Sequence, residues 1–237
     1  MKTVLLKFAG PLQSWGSSSH FEIRHTDPFP SKSAVTGLIA AALGYRRNED
    51  EKIRGLNRLH FAVRIDQPGQ IEYDYQTAHK YKDSRKEPDP VLDRTYVTRR
   101  YYLEDAVFVV AVGHEDADLI ERITEALKHP YFQLYMGRRS CPVPEDFILG
   151  VVDSPVVAAL EKLPLQIADW YKKKYPGKVF IYADAKELPD SQTSLRRDNI
   201  VSLSPEGREY EWREESRKML ELPVDHEDHD AFDALEA

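Results

Sequence analysis

A chain of 237 residues, 41% hydrophobic and 11% aromatic, has the apolar mass for a sizeable core and is excluded from the disordered class. Its net charge of −7 argues at first sight against a nucleic-acid partner, yet twelve acidic and four basic residues fall between 204 and 237, so the rest of the chain is close to neutral. The one cysteine, Cys141, excludes an internal disulfide and a cysteine zinc cluster and predicts a reducing, cytoplasmic setting. No run approaches the roughly eighteen apolar residues of a membrane span, and Met1-Lys2-Thr3 leads into a strand rather than a signal peptide.

Val4–Phe8 is a short apolar run closed by Gly10-Pro11, which predicts a strand entering a turn. Ser33–Gly44 is apolar almost without interruption, the composition of a helix buried around most of its circumference, with Pro30 and Ser31 at its start and Gly44 at its stop. The loop of roughly twenty residues between them is long for a compact domain. Asn48–Arg58 is charged and predicts a short helix or turn. Phe61–Ile65 and Ile71–Tyr75 alternate about Gln67-Pro68-Gly69-Gln70 and are expected to form a hairpin. Val107–Val112 is a continuous apolar run suited to a central strand, and Asp116–Lys128 carries Leu119, Ile120, Ile123 and Leu127 at helical spacing. Phe132–Met136 would be a final strand.

That order approximates an α+β, ferredoxin-like βαββαβ plan, two helices covering one face of an antiparallel sheet and leaving the other open. Residues 76–102 interrupt it with seven basic and four acidic residues and the breaker Glu87-Pro88-Asp89-Pro90. Beyond residue 152 a small C-terminal unit is expected, with helical pieces at Pro155–Leu163 and Leu165–Lys174. Strands are expected at Lys178–Tyr182, Asn199–Leu203 and Arg208–Leu220, followed by an acidic tail from about residue 222. His226 and His229 in that tail lack the surrounding shell that orients metal ligands, so no metal is expected there.

Two blocks, Gly10-Pro11-Leu12-Gln13-Ser14-Trp15-Gly16 with Pro30-Ser31-Lys32-Ser33 and Gly37-Leu38, and Tyr135-Met136-Gly137-Arg138-Arg139-Ser140-Cys141-Pro142, resemble the CasD subunits of type I-E CRISPR Cascade in order and separation. The resemblance spans about residues 1–152. CasD subunits are RAMP-superfamily proteins with RRM-like folds, so the resemblance implies a non-catalytic RNA-binding subunit capping the crRNA 5′ handle in a ribonucleoprotein for antiviral defence. It also implies a protruding thumb at 76–102, a neighbouring CasC backbone subunit and contact with the large CasA subunit. The aromatic RNP signature of an ordinary RRM is missing, so RNA would be held by loops rather than on a bare sheet.

The residues suited to that task fall into four groups. Gln13, Ser14, Trp15 and Gly16 combine donors, acceptors and close backbone approach, although Trp15 has the alternative of covering an apolar edge. Ser31, Lys32 and Ser33 have the makings of an anion site at a helix start, or of ordinary capping. Gly137, Arg138, Arg139 and Ser140 form a cationic turn for phosphates or for carboxylates at a protein interface. In the thumb, Lys80, Tyr81, Lys82, Arg85, Arg99 and Arg100 are the cations and aromatic expected to touch RNA. No Walker loop is present, and no cofactor is implied.

Two further classes stay open. A metal-independent endoribonuclease would use Tyr45, His79 and Lys80 as acid and base, with His20 and His25 in the long loop as further candidates. A purely structural subunit would make no direct RNA contact.

Overall fold

The computed structural model describes residues 1–16, 22–81 and 92–222. Its first strand, β1 (Lys2–Ala9), is followed by two short strands, β2 (Leu12–Gln13) and β3 (Ile23–Arg24), then helices α1 (Lys32–Ala42) and α2 (Asp50–Gly55). Next come β4 (His60–Gln67), β5 (Gln70–Tyr81), β6 (Leu92–Glu104), β7 (Val107–His114), α3 (Ala117–Lys128) and β8 (Ile148–Val152). The chain continues through α4 (Val156–Lys162), α5 (Asp169–Lys172), β9 (Lys178–Asp184), β10 (Thr193–Ser202) and β11 (Glu209–Glu221).

The main sheet has seven strands in the order β10-β11-β9-β4-β7-β1-β8, and every pairing is antiparallel. Taking β1, β4, β7 and β8 as the first to fourth strands, the spatial order is 2-3-1-4, the ferredoxin-like arrangement expected from the sequence. β1 and β7 pair without a slip from Lys2–His114 to Ala9–Val107, and β7 is buried along nearly its whole length. Such a strand needs cover on both faces. Val4, Leu6, Phe8, Phe108, Val110 and Val112 meet α1 and α3 on one face. Leu5, Ala62, Val109 and Ala111 meet Val156, Val157 and Leu160 of α4 on the other. The second face, expected to be open, is therefore closed by α4.

Both long helices begin where their caps indicate. The Ser31 hydroxyl accepts from Ala34 N–H at 3.2 Å, and the Asp116 carboxylate accepts from Asp118 and Leu119 N–H at 3.0 and 3.3 Å. In α3, Ile120, Ile123 and Leu127 face the core as their spacing predicts.

Three expectations are corrected. First, β4 and β5 do not form a hairpin. Buried β4 stays in the main sheet between β7 and β9, whereas β5 leaves it and pairs along its length with β6. The Pro68-Gly69 turn is real, but it is a crossing between sheets. Gly69 has φ +71°, and a Cβ there would lie 2.4 Å from the Glu104 carbonyl, so the strand leaving the sheet is pressed against the strand returning to it. The protruding hairpin consequently runs from Gln70 to Glu104, wider than 76–102, and forms a second sheet with β2 and β3.

Second, Phe132–Met136 is not the fourth strand. Its apolar side chains Leu134 and Met136 enter the core while its backbone makes only one bridge, Tyr135 to Pro142, and β8 takes the edge beside β1. Third, the strands after residue 153 make no sheet of their own: β9 pairs with β4, and β11 and β10 follow outward. The helix expected over 165–174 is reduced to α5, and the strand expected at 199–203 begins earlier, at Thr193.

Arg64 shows how the second face is closed. It is fully buried on β4, where its Nε and Nη2 donate to Asp66 at 2.6 and 2.8 Å. Its remaining donors reach the carbonyls of Leu160, Leu163 and Pro164 at the end and exit of α4. Arg64→Ala leaves the Asp66 charge without its cation and takes a donor from each of these carbonyls. It is expected to destabilise the chain by about 3–5 kcal/mol in chemical denaturation, the range for breaking a buried pair; a change within error of wild type would show that water replaces the guanidinium.

Candidate nucleic-acid interface

The two sequence blocks meet at the end of β1. Gln13, on β2, is fully buried and donates from its amide to the carbonyls of Ala106 at 2.7 Å and Phe8 at 3.3 Å. Its side-chain oxygen accepts from the Trp15 indole N–H at 3.0 Å. The Trp15 ring, 2% exposed, stands edge-on to Phe8 with centroids 5.0 Å apart. Ser14 donates from its hydroxyl to Tyr101 O at 3.1 Å and from its backbone to Met136 O at 3.2 Å. Gln13 and Trp15 are thus core-edge residues, the alternative the sequence left open for Trp15. Gly16 is exposed.

Gly137 answers Ser14 from the other block. It has φ +81°, and a Cβ there would lie 1.5 Å from the Ser14 carbonyl oxygen, so no other residue fits without moving the two loops apart. The turn after it is closed by Cys141 N–H on Arg138 O at 2.9 Å and Met136 N–H on Cys141 O at 2.7 Å. Cys141 is buried beneath it, and burial raises its thiol pKa. Arg138 lies 4.2 Å over the Tyr102 ring and donates from Nη2 to Arg24 O at 3.1 Å, while its Nη1 is buried without a hydrogen-bond partner. Arg139 and Ser140 are exposed.

Between these loops, the outer side of α1 and the segment after α3 lies a groove of about 1090 Å³. Small residues of α1, Ala34, Gly37, Ala40 and Ala41, border it. Six arginines line it: Arg24, Arg46, Arg47, Arg138, Arg139 and Arg208. No lysine, aspartate or glutamate is among its described lining residues. Tyr45, Phe132, Tyr135 and Tyr210 supply aromatic surface, Trp15 borders it from the core with its ring covered, and Ser14, Ser31, Ser33 and His25 supply polar groups. In a chain of net charge −7, this is a strong local concentration of positive charge.

The expected residues divide. Ser14, Trp15, Gly16, Ser31, Ser33, Gly137, Arg138 and Arg139 line the groove together. Lys32 does not: it is 5% exposed and its ammonium donates to Asp184 at 2.8 Å, so a buried ion pair replaces the expected anion contact. Ser31 caps α1 and shares a hydroxyl contact of 3.1 Å with Ser33. Lys80, Arg99 and Arg100 lie on the β5–β6 hairpin outside the groove lining, Arg99 exposed and Arg100 half-buried. Tyr81 closes β5; Lys82 and Arg85, like His20, His226 and His229, lie outside the described residues.

Among the candidates for catalysis, Tyr45 and His25 line the groove, His25 stacked on Tyr101 at 5.2 Å. His79, 3.0 Å from the Thr95 hydroxyl, and Lys80 sit on β5, so the proposed acid–base set is not brought together. Arg24, Arg46, Arg47 and Arg208 were missed. The dibasic Arg46-Arg47 after Gly44-Tyr45 and the exposed Gly207-Arg208 were visible as turns, but nothing local showed that they converge. Among the described residues no group of three or more His, Cys, Asp or Glu could hold a metal ion, and no helix is long and apolar enough to cross a membrane.

Residues 3–214 match the family model described as CRISPR-associated protein (Cas_Cas5). The chain belongs to the Cas5 family. It is 31% identical over 161 residues to the CRISPR system Cascade subunit CasD of Escherichia coli strain K12, covering 62% of this chain and 70% of that protein. Its fold matches a chain of a CRISPR RNA-guided surveillance complex with TM-score 0.75 and 31% identity, over 94% of this chain and 91% of that one. It also matches the crystal structure of a Cas protein with TM-score 0.66 and 33% identity, over 93% and 95% of the two chains.

Trp15→Ala removes the ring that joins Phe8 to Gln13. It is expected to cost about 3–5 kcal/mol, as truncation of buried aromatics does, with a clear fall in the thermal midpoint of the free chain. A midpoint equal to wild type would show that the ring does not support the core edge.

Proposed function

We propose that the arginine-lined groove holds the backbone of CRISPR RNA, and that the chain is a non-catalytic RNA-binding subunit of a Cascade-type CRISPR surveillance complex. The observation that carries this reading is the groove itself, six guanidinium groups with no carboxylate among its described lining residues. Guanidinium forks suit phosphate oxygens in bidentate geometry, and the aromatic rings between them offer faces on which unpaired bases stack. The E. coli relative and the surveillance-complex structure supply the context, and the reading of the RNA segment as the 5′ handle rests on the CasD resemblance alone. A hook of single-stranded RNA exposes bases and backbone together, which suits a groove more than a flat sheet.

In this reading the β5–β6 hairpin projects toward the adjacent CasC backbone subunit, with CasA as a further neighbour. The guide begins where the handle is gripped, so the subunit sets the register of the assembly. Its setting is the cytoplasm, where guide RNA is made. The non-catalytic part rests on the separation of Tyr45 from His79 and Lys80: general acid–base cleavage needs its groups within hydrogen-bond reach of one substrate site.

The exposed arginines give the test. Arg46→Ala, Arg47→Ala and Arg139→Ala together should leave thermal unfolding unchanged and weaken retention of labelled repeat RNA. Each lost phosphate contact lowers the log–log salt slope by about 0.7, so the triple variant should lose about 2. The RNA should be retained uncleaved in EDTA. An unchanged slope would put these arginines against protein, and EDTA-resistant cleavage abolished by Tyr45→Phe or His25→Ala would make the chain a nuclease.

A further inference from the structure

A second basic surface lies on the other side of the β4 strand end, and it shares no residue with the groove. The segment after α4 is anchored by Gln166 N–H on Asp66 at 2.8 Å and Ala168 N–H on the Gln67 side chain at 3.4 Å. It then runs Asp169-Trp170-Tyr171-Lys172-Lys173-Lys174-Tyr175-Pro176-Gly177-Lys178. Ten residues hold four lysines, three aromatic rings and one carboxylate. All four lysines are exposed, and the backbone is held by turns, with Tyr171 N–H on Ala168 O at 2.9 Å and Lys174 N–H on Tyr171 O at 2.8 Å.

Trp170 is the decisive residue. It is 53% exposed, although a tryptophan of ordinary structural use would be covered. Tyr171 meets it edge-on at 5.7 Å, and the Lys174 ammonium stands 5.6 Å from its centroid. An open indole flanked by flexible ammonium groups is a platform for one unpaired base, with cations placed for the phosphates on either side. The local carboxylates oppose this only in part. Asp169 pairs with Lys172 at 2.7 Å, and Glu221 lies across from Lys178 in the β9–β11 register, which leaves Lys173 and Lys174 facing solvent.

We infer that Trp170 and Lys172–Lys174 form a second binding site for single-stranded nucleic acid, distinct from the arginine groove. RNA and DNA share the chemistry it reads, a base face and a phosphate backbone. A competitor is built into the sequence. Leu222 N–H donates to Gly177 O at 3.1 Å, so the chain after residue 222, with six acidic residues, starts beside the lysines. A tethered polyanion there would weaken the binding of another polyanion.

The test uses the full chain with Trp212→Phe, which removes the other exposed indole, and reads tryptophan emission during titration with oligouridylate or oligothymidylate at low salt. Quenching is expected, lost in Trp170→Phe and retained when Arg46, Arg47 and Arg139 are alanine. Lys172→Gln, Lys173→Gln and Lys174→Gln together should weaken this quenching at least about tenfold and lower its salt slope by about 2. A stronger response to one polymer assigns the site to RNA or to DNA, and ending the chain at Leu222 should tighten binding. Quenching that is the same with and without the three lysines overturns the inference. So does Trp170 emission that responds to removal of residues 223–237 but not to either oligonucleotide, which would make the surface a dock for the chain's own acidic segment.

Discussion

The groove depends on a buried ion network that fixes its α1 wall to strands 152 and 166 residues away in sequence. At the start of α1, Lys32 Nζ donates to Asp184 at 2.8 Å and Lys32 N–H donates to Asp198 at 2.9 Å. Arg213 joins the same two carboxylates, reaching Asp198 at 2.6 Å and Asp184 at 3.2 Å, and meets Glu215 at 2.6 Å. Arg196 extends the cluster to Asp27 at 3.3 Å and lies 4.4 Å over Phe29, whose ring stacks on Tyr182. Burial pulls the Lys32 pKa down against the pull of Asp184, while for Arg213 the opposing effect of burial is outweighed by Asp198 and the other carboxylates. Three cations face four carboxylates, and the free N–H groups of α1 offset part of the excess negative charge. Such a cluster adds little net stability for its size, because desolvation cancels most of the attraction. Its geometric demand is what matters: α1 has one position relative to β9, β10 and β11 in which every charge is paired.

This network also explains why the start of α1 is not the anion site its sequence suggested. The helix N-terminus and its lysine do gather anions there, but these are carboxylates of the same chain, Asp198 on the Lys32 N–H and Asp184 on its ammonium. From the local sequence an internal carboxylate and a phosphate look alike, since both satisfy the same N–H groups. Only the fold brings Asp198 to Lys32. Under the proposed function an external anion would fall to the residues at the other end of α1, Arg46 and Arg47, and to the Gly137 turn, which line the groove.

What was legible in the sequence follows the range of the interaction that decides it. β1, β7, α1 and α3 are settled by their own periodicity and caps, and their limits agree with the reading to within a residue or two at most ends. The β4–β5 hairpin failed because two alternating runs about Pro-Gly fit a tight turn equally well whether or not the strands share a sheet. The exposure of Ile71, Tyr73 and Tyr75, at 65, 61 and 57%, is the sign that β5 belongs elsewhere, and no residue of β5 announces it alone. The closing of the second sheet face was hidden in the same way, although the unbroken apolar run of β7 asked for it. At the site, Gly137 was visible as a glycine, but its reason, a 1.5 Å approach to the Ser14 carbonyl, belongs to two segments over a hundred residues apart.

The two basic surfaces differ in kind. The groove is lined by arginine and no lysine, whereas the surface around Trp170 carries lysine and no arginine. Arginine presents a planar fork of donors that fixes the direction of a phosphate as well as its distance, and it holds its own position by stacking, as Arg138 does on Tyr102. Lysine offers a mobile point charge that attracts a backbone without choosing its register. A strand that must begin at one defined nucleotide needs the first kind of contact, and a strand that need only be kept near the body is served by the second. The acidic balance of the chain sharpens the contrast. Many of its carboxylates are consumed in the α1 network, in surface ion pairs or in the segment after residue 222, and none is among the described residues that line the groove, where it would cancel the charge that the fold has gathered from four separate stretches of sequence.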